Sequence, residues 1–125
     1  MANTWNGPSR NSVIPYLHID KNMRPLVRVV NTLPGVKTVG CCGGHENRKR
    51  CQQPKGKWFL SIWVYKDGIN SRLILKAFFK KAGIKFTEPC NESGKKLGWI
   101  CLLSRTDPIK VAKQLKAWLY DKCIN

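Results

Sequence analysis

The sequence predicts an α/β fold of the α+β kind, with about four strands in one sheet and helices on one of its faces. Residues 58–65 (WFLSIWVY) are rich in aromatic and β-branched side chains, which favour a strand. Residues 69–82 carry apolar side chains spaced i, i+3, i+4 and i+7, which predicts a helix with one buried face. The same order of elements recurs in both halves, and strands joined by polar loops pair antiparallel. Together these observations predict a two-layer domain.

In the first half, residues 1–12 are polar and interrupted by Gly and Pro, so we expect a loose arm ahead of one basic domain, residues 13–125. Asp20 is placed to cap a helix over residues 21–33. A short strand is expected over residues 36–40. A long polar loop then leads to the aromatic strand.

In the second half, the helix is expected to end at Gly83, and strands follow over residues 84–88 and 97–104. Asp107 is placed as the cap of a last helix over residues 108–122, in which proline occupies the first turn. The predicted order is therefore α-ββ-α-ββ-α.

This order suggests an internal duplication. Residues 35–37 (GVK) match residues 83–85 (GIK), and the same register places Cys42 on Cys90. A twofold axis between the halves could then bring these two cysteines together. Chance similarity between short amphipathic segments is the alternative explanation.

The charge balance predicts a polyanionic partner. The chain has 23 Lys and Arg against 7 Asp and Glu, a net charge of +16. Such an excess raises the affinity for nucleic acid, and we expect binding to RNA ahead of DNA, or to a nucleoprotein complex. The residues expected to contact phosphate are the loop cations and one stripe of the second helix: Arg48, Lys49, Arg50, Lys55, Lys57, Arg72, Lys76 and Lys80. A further stripe contains Lys110, Lys113 and Lys116, although lysine-rich helix faces are also common on surfaces that only meet solvent.

No segment approaches the roughly 20 apolar residues of a membrane span, and the first residues lack the apolar run of a secretory signal. We therefore expect a cytoplasmic, intracellular protein, possibly acting in a host cell, with no membrane partner. In that compartment its six cysteines are expected to be reduced thiols or metal ligands.

The turn formed by Cys42, Gly43, Gly44 and His45 is the most specific local feature. Glycines let backbone amides approach a ligand, and successive amides can form an anion nest. The functional interpretation is a phosphate cradle beside the basic loop. The alternative is a tight turn that only needs glycine.

Part of the chain, residues 26–64, resembles two groups of proteins. Asn31, Thr38, Cys42 and Gly44 resemble the Asn…Thr…Ser-Ser-Cys-Ser-Gly-Arg signature of the wybutosine-synthesising tRNA methyltransferase-like family. The sequence departs from that signature at Gly40, Cys41, Gly43 and His45. The Cys-Gly-Gly-His turn, followed by a proline and an aromatic strand, is similar to small phage proteins.

The first resemblance implies tRNA-like RNA as a partner and makes a tRNA-modification enzyme one alternative function. The second makes an anti-CRISPR-like inhibitor of a host nucleoprotein defence complex another. The preferred expectation is a non-catalytic nucleic-acid-binding protein with no required cofactor.

A metal site is a second interpretation of the cysteines and histidine in and near the Cys-Gly-Gly-His turn. Sulfur and imidazole ligands suit zinc, and the candidate ligands are Cys42, His45, Cys51 and Cys90. No CxxC pair supports a standard zinc finger, and buried cysteines are often ordinary core residues. A nucleophilic cysteine, either Cys41 or Cys42 activated by His45, is a third interpretation.

Overall fold

The computed structural model describes residues 7–10, 19–46 and 52–124. Within them, four strands form one antiparallel sheet and three α-helices complete the domain, which confirms the predicted fold class. In chain order the elements are α1 (Arg24–Val30), β1 (Val36–Cys42), β2 (Trp58–Val64), α2 (Ile69–Ala82), β3 (Phe86–Thr87), β4 (Trp99–Ser104) and α3 (Pro108–Ile124).

The sheet consists of two hairpins joined side by side. Its strand order is β1-β2-β4-β3, and every neighbouring pair is antiparallel. This arrangement has an approximate twofold axis normal to the sheet, between β2 and β4. Thr38 lies opposite Ile62, and Phe86, which the predicted repeat aligns with Thr38, lies opposite Leu102.

The helices cover one face of this sheet and form the core with it. The buried strand residues on that face include Trp58, Leu60, Ile62, Ile100 and Leu102. The buried helix residues packed with them include Leu26, Val30, Leu75, Phe79, Val111 and Leu115. Burying each large apolar side chain contributes about 1.5–3 kcal/mol, so this layer contact is the main source of stability.

Helix α2 has the predicted bounds, and its end explains why β3 is short. The N–H of Gly83 donates to the carbonyl of Lys80 (3.2 Å), and the N–H of Ile84 donates to that of Phe79 (2.9 Å). These two bonds form a Schellman motif that terminates the helix. Ile84 therefore belongs to the helix cap, and β3 begins two residues later than the predicted strand.

Helix α1 is shorter than predicted. A 3₁₀ turn over Lys21–Met23 precedes it, and Pro25 occupies its first turn. The side chain of Asp20 makes no capping hydrogen bond, contrary to the prediction. Among the described residues, no helix combines the length and the apolar character needed to cross a bilayer.

Strand β1 lies at one edge of the sheet, where the side chain of Asn31 meets it. The N–H of Thr38 donates to Asn31 Oδ1 (2.9 Å), and Asn31 Nδ2 donates to Thr38 Oγ1 (3.0 Å). These two hydrogen bonds fix the end of α1 against β1.

The second face of the sheet is aromatic. Trp63 and Trp99 pack edge to face with ring centroids 4.9 Å apart. Residues 7–10 of the predicted arm contact this region: a Cβ on Gly7 would lie 2.0 Å from Trp63 Nε1, and the Tyr65 hydroxyl donates to the Pro8 carbonyl (2.5 Å). The rest of the predicted arm lies outside the described residues.

Candidate functional site

The end of β1 presents its two cysteines to opposite sides. A β-bulge in the middle of the strand shifts the register, so that Cys41 lies opposite Leu60 and Cys42 lies opposite Phe59. Cys42 is only 5% exposed. Its Sγ accepts a hydrogen bond from the backbone N–H of Gln53 (3.4 Å). The Cys42 thiol is therefore held in a buried, fixed position.

Asp20 completes a cluster with Cys42 and His45. The carboxylate Oδ2 of Asp20 accepts a hydrogen bond from the N–H of Gly43 (2.8 Å) and lies 3.1 Å from His45 Nε2. One ligand atom from each of Asp20, Cys42 and His45 lies within 4.8 Å of the others. The cluster thus joins a carboxylate, a thiol and an imidazole at the margin of the buried region.

Sequence reasoning missed Asp20 as a member of this site. Its position before a helix indicated a capping role, and it lies 23 residues away from the turn that it contacts. No local pattern links two such distant segments. Only the packing of the 3₁₀ turn against the end of β1 brings them together.

The structure argues against the predicted phosphate cradle of Cys42, Gly43, Gly44 and His45. An anion nest needs backbone amides that point at the ligand. Here the N–H of Gly43 donates to Asp20, and the N–H of His45 donates to the carbonyl of Gln53 (2.9 Å). A carboxylate of the protein itself therefore takes the place that an anion would occupy beside Gly43.

The glycines of this turn are required by close packing. Gly44 has φ of +93°, and a Cβ on it would lie 2.7 Å from the Pro54 carbonyl oxygen and 2.8 Å from that of Lys57. A Cβ on Gly43 would lie 1.9 Å from Oδ1 of Asn22, whose Nδ2 donates to the Gly43 carbonyl (2.9 Å). These contacts support the tight-turn alternative.

Cys41 does not have the properties of a nucleophile. Burial, with smaller contributions from the charges of Asp20 and Cys42, raises the pKa of the Cys41 thiol to about 11. Because the thiolate is the reactive form, a pKa this high leaves little of the Cys41 thiol reactive at neutral pH. The nucleophile interpretation is therefore disfavoured for Cys41.

Cys90, predicted to approach Cys42, lies at the other edge of the sheet. It follows β3 and pairs with Lys96, whereas Cys42 ends β1. Rotation about a twofold axis normal to the sheet exchanges its two edges and also its two ends. Residues related by this axis, such as Cys42 and Cys90 in the predicted repeat, therefore lie far apart. Cys90 is therefore not a ligand candidate alongside Cys42 and His45. The fourth predicted ligand, Cys51, lies outside the described residues.

The predicted basic loop is described only in part. Arg48, Lys49 and Arg50 lie outside the described residues. Lys55 Nζ forms an exposed ion pair with Glu46 Oε1 (2.6 Å). Lys57 is half-buried. Of the two predicted contact residues in the described part of the loop, Lys55 is thus paired with an acid, and the role of the loop in binding stays a prediction.

Two of the three cations in the predicted stripe on α2 form ion pairs with one acid, Glu88. Arg72 forms an ion pair with Glu88, whose Oε1 lies 2.8 Å from Lys76 Nζ and 3.1 Å from Lys96 Nζ. Burial would raise the pKa of Glu88, but the three cations outweigh burial and lower that pKa to about 2. Three cations and one carboxylate leave this cluster positive, and Lys80 is exposed one turn further along α2.

The helical layer is the most basic part of the described structure. Helix α1 carries two Lys or Arg, α2 four and α3 four, whereas the only acid on the three helices is Asp121. Helix α3 contacts both α1 and α2, so it lies in the middle of the layer. We define the basic helical surface as three exposed lysines of α3 and one exposed lysine of α2: Lys80, Lys110, Lys113 and Lys116.

Other aromatic residues lie in the core or on the helices. Trp58 is buried on the helix side, and its Nε1 donates to the Thr106 carbonyl (2.7 Å). Trp118 is covered by Lys122 and Lys81, whose Nζ atoms lie 4.6 and 5.0 Å from its ring centroid. Tyr120 on α3 is 67% exposed. The exposed aromatic residue on the same helix as Lys110, Lys113 and Lys116 is therefore a tyrosine.

Comparison with protein-family models, with curated proteins and with solved structures finds no match, so the geometry of the chain itself carries the functional argument.

Proposed function

We propose that this protein binds nucleic acid through the basic helical surface, with single-stranded RNA as the preferred ligand class. The observation that carries the proposal is the near absence of acids from the helical layer. Ten cations against one carboxylate on three neighbouring helices produce a field that attracts a phosphate backbone.

The distribution of the acids supports the same conclusion. Five of the seven make specific contacts within the fold: Asp20, Glu46, Asp67, Glu88 and Asp107. Asp20 contacts the turn, Glu46 contacts the loop and Asp67 contacts the arm. Glu88 contacts its three cations, and Asp107 caps α3. None of these five neutralises the lysines of the basic helical surface, so those charges remain available to a partner.

Tyr120 adds a means of contacting bases. Single-stranded nucleic acids bind well to surfaces where cations follow the backbone and an exposed aromatic ring stacks on a base, which contributes about 1–3 kcal/mol per base. Tyr120 is on the same helix as Lys110, Lys113 and Lys116, and its ring is accessible. This combination favours a single strand over a duplex, whose bases are already stacked.

The test is fluorescence anisotropy of the full chain with single-stranded RNA and DNA across a salt series. The Lys113→Gln/Lys116→Gln variant removes two central charges. Each lost phosphate contact lowers the slope of log affinity against log salt by about 0.7 for single strands, so two contacts lower it by about 1.4. When the two proteins bind equally at 1 M salt, this change of slope corresponds to about 25-fold weaker binding of the variant at 0.1 M salt.

The matched control is Lys66→Gln/Lys95→Gln, which removes the same charge from exposed residues outside the three helices. Equal weakening in both variants would contradict the assignment to the helical surface, and a chain that binds neither nucleic acid at low salt would refute the function. The inhibitor and tRNA-modification interpretations stay predictions. Capture of one host protein that survives nuclease treatment is the result that the inhibitor interpretation requires.

A further inference from the structure

The cluster of Asp20, Cys42 and His45 has no place in nucleic-acid binding through the helices. Asp20 precedes α1, whereas Cys42 and His45 lie at the end of β1 and in the turn after it. One ligand atom from each lies within 4.8 Å of the other two. A carboxylate, a thiol and an imidazole brought together from two separate segments form a set of donors that suits a metal ion.

We infer that Asp20, Cys42 and His45 form a zinc-binding site that joins the start of α1 to the end of β1. Zinc accepts sulfur, nitrogen and oxygen ligands, and its bond lengths place the ligand atoms of a tetrahedral site about 3.3–3.8 Å apart. Asp20 Oδ2 and His45 Nε2 are already 3.1 Å apart. The two separations from the sulfur need to shorten by at most about 1.3 Å, because sulfur lies about 3.5 Å from an oxygen or nitrogen ligand in a tetrahedral zinc site.

The surroundings of the ligands support the site. Cys42 is 5% exposed, and the Gln53 N–H contact to its Sγ is the kind of bond that orients a thiolate ligand. Gly43 also contributes, because its N–H holds the Asp20 carboxylate towards the turn. The donor atoms are therefore oriented by the fold itself.

The charge of the three ligands and the access to the site from solvent also suit a zinc ion. A carboxylate and a thiolate supply two negative charges, which balance Zn²⁺ when the imidazole is neutral. On binding, the thiol proton of Cys42 is released to solvent and the sulfur forms the bond to zinc. The side chains of Asp20 and His45 are 34% and 31% exposed, so an ion can enter from the surface while the sulfur remains shielded.

Two variants test the site without removing the buried sulfur. Asp20→Asn retains an oxygen that accepts the Gly43 N–H but loses the charge, and His45→Gln replaces a partly exposed ring with a polar side chain. The full chain is dialysed with Zn²⁺, its metal content is measured, and its affinity is determined by competition with a chromophoric chelator. We expect one zinc ion per chain and at least about ten-fold weaker binding in each variant. Substitution by Co²⁺ should give a thiolate charge-transfer band.

Cys90→Ser is the matched control, because this cysteine is exposed at the opposite edge of the sheet. Its affinity for zinc should equal that of the unaltered chain. Failure to take up zinc refutes the site, as does unchanged affinity in either variant or a cobalt spectrum without the thiolate band. These outcomes are independent of whether the helical surface binds RNA.

Discussion

Replacing Glu88 with glutamine tests how much the cluster with Arg72, Lys76 and Lys96 stabilises the fold. The cations hold the pKa of Glu88 at about 2, below its ordinary value of 4.5. A group whose pKa is lowered by folding contributes stability above its unfolded pKa, and that contribution is lost as the pH falls towards the folded pKa. The window is therefore from about pH 4.5 down to about pH 2.

The shift in pKa corresponds to at most about 3 kcal/mol, at 1.36 kcal/mol per pH unit. Glu88 is only 11% exposed, but Lys96 is 50% exposed and its contribution is screened by solvent. We therefore expect Glu88→Gln to lower the free energy of unfolding at pH 7 by about 1–3 kcal/mol. For a chain of this size, the melting temperature should fall by about 3–10 °C.

Urea denaturation at pH 7, 4.5, 3 and 2 measures the difference between the two proteins. The difference should be largest at pH 7 and should be small at pH 2, where about half of the native carboxyl groups are protonated. Glu92→Gln is the control, because Glu92 is exposed and makes no ion pair among the described residues. A difference that is independent of pH, or as large in the control, would refute the electrostatic explanation.

The turn and the cysteines give two further predictions. Gly44→Ala and Gly56→Ala both force alanine into positive φ, about 1–2 kcal/mol each, but only the Cβ at Gly44 meets backbone atoms within 3 Å. Urea denaturation should therefore show Gly44→Ala to be less stable than Gly56→Ala by a further 1–3 kcal/mol or so, and equal losses would contradict the packing argument. In iodoacetamide labelling at pH 8, followed by mass spectrometry, Cys90 should react at least about 100-fold faster than Cys41, because a pKa of about 11 leaves Cys41 protonated. Similar rates would show that Cys41 is neither buried nor protonated as described.

The parts of the fold that sequence predicted are those determined by local pattern. The bounds of α2 follow from apolar spacing and from a glycine at its end, and β2 follows from a run of aromatic and β-branched residues. The start of β3 was predicted too early because Ile84 is apolar in either role. Only the hydrogen bond from its N–H to Phe79 shows that it belongs to the helix cap.

The site was less predictable because its members are distant in sequence. Cys42 and His45 were identified from their turn, but Asp20 had a plausible local role as a helix cap. Cys90 was predicted as a ligand because the sequence repeat does not give the direction of a twofold axis, and only some directions bring Cys90 close to Cys42. That direction depends on β2 pairing with β4, a long-range contact that no local pattern specifies.

The hydrogen bonds of Asn31 and Asp20 have a consequence for self-association. A bare sheet edge is a template on which a second chain can add a strand, and this is a route to aggregation. Along β1 the outward N–H of Thr38 is taken by Asn31, and just beyond the strand the N–H of Gly43 is taken by Asp20. The opposite edge, β3, has only two residues in the ladder. At these positions a second copy of the chain would therefore find fewer free backbone groups with which to add a strand.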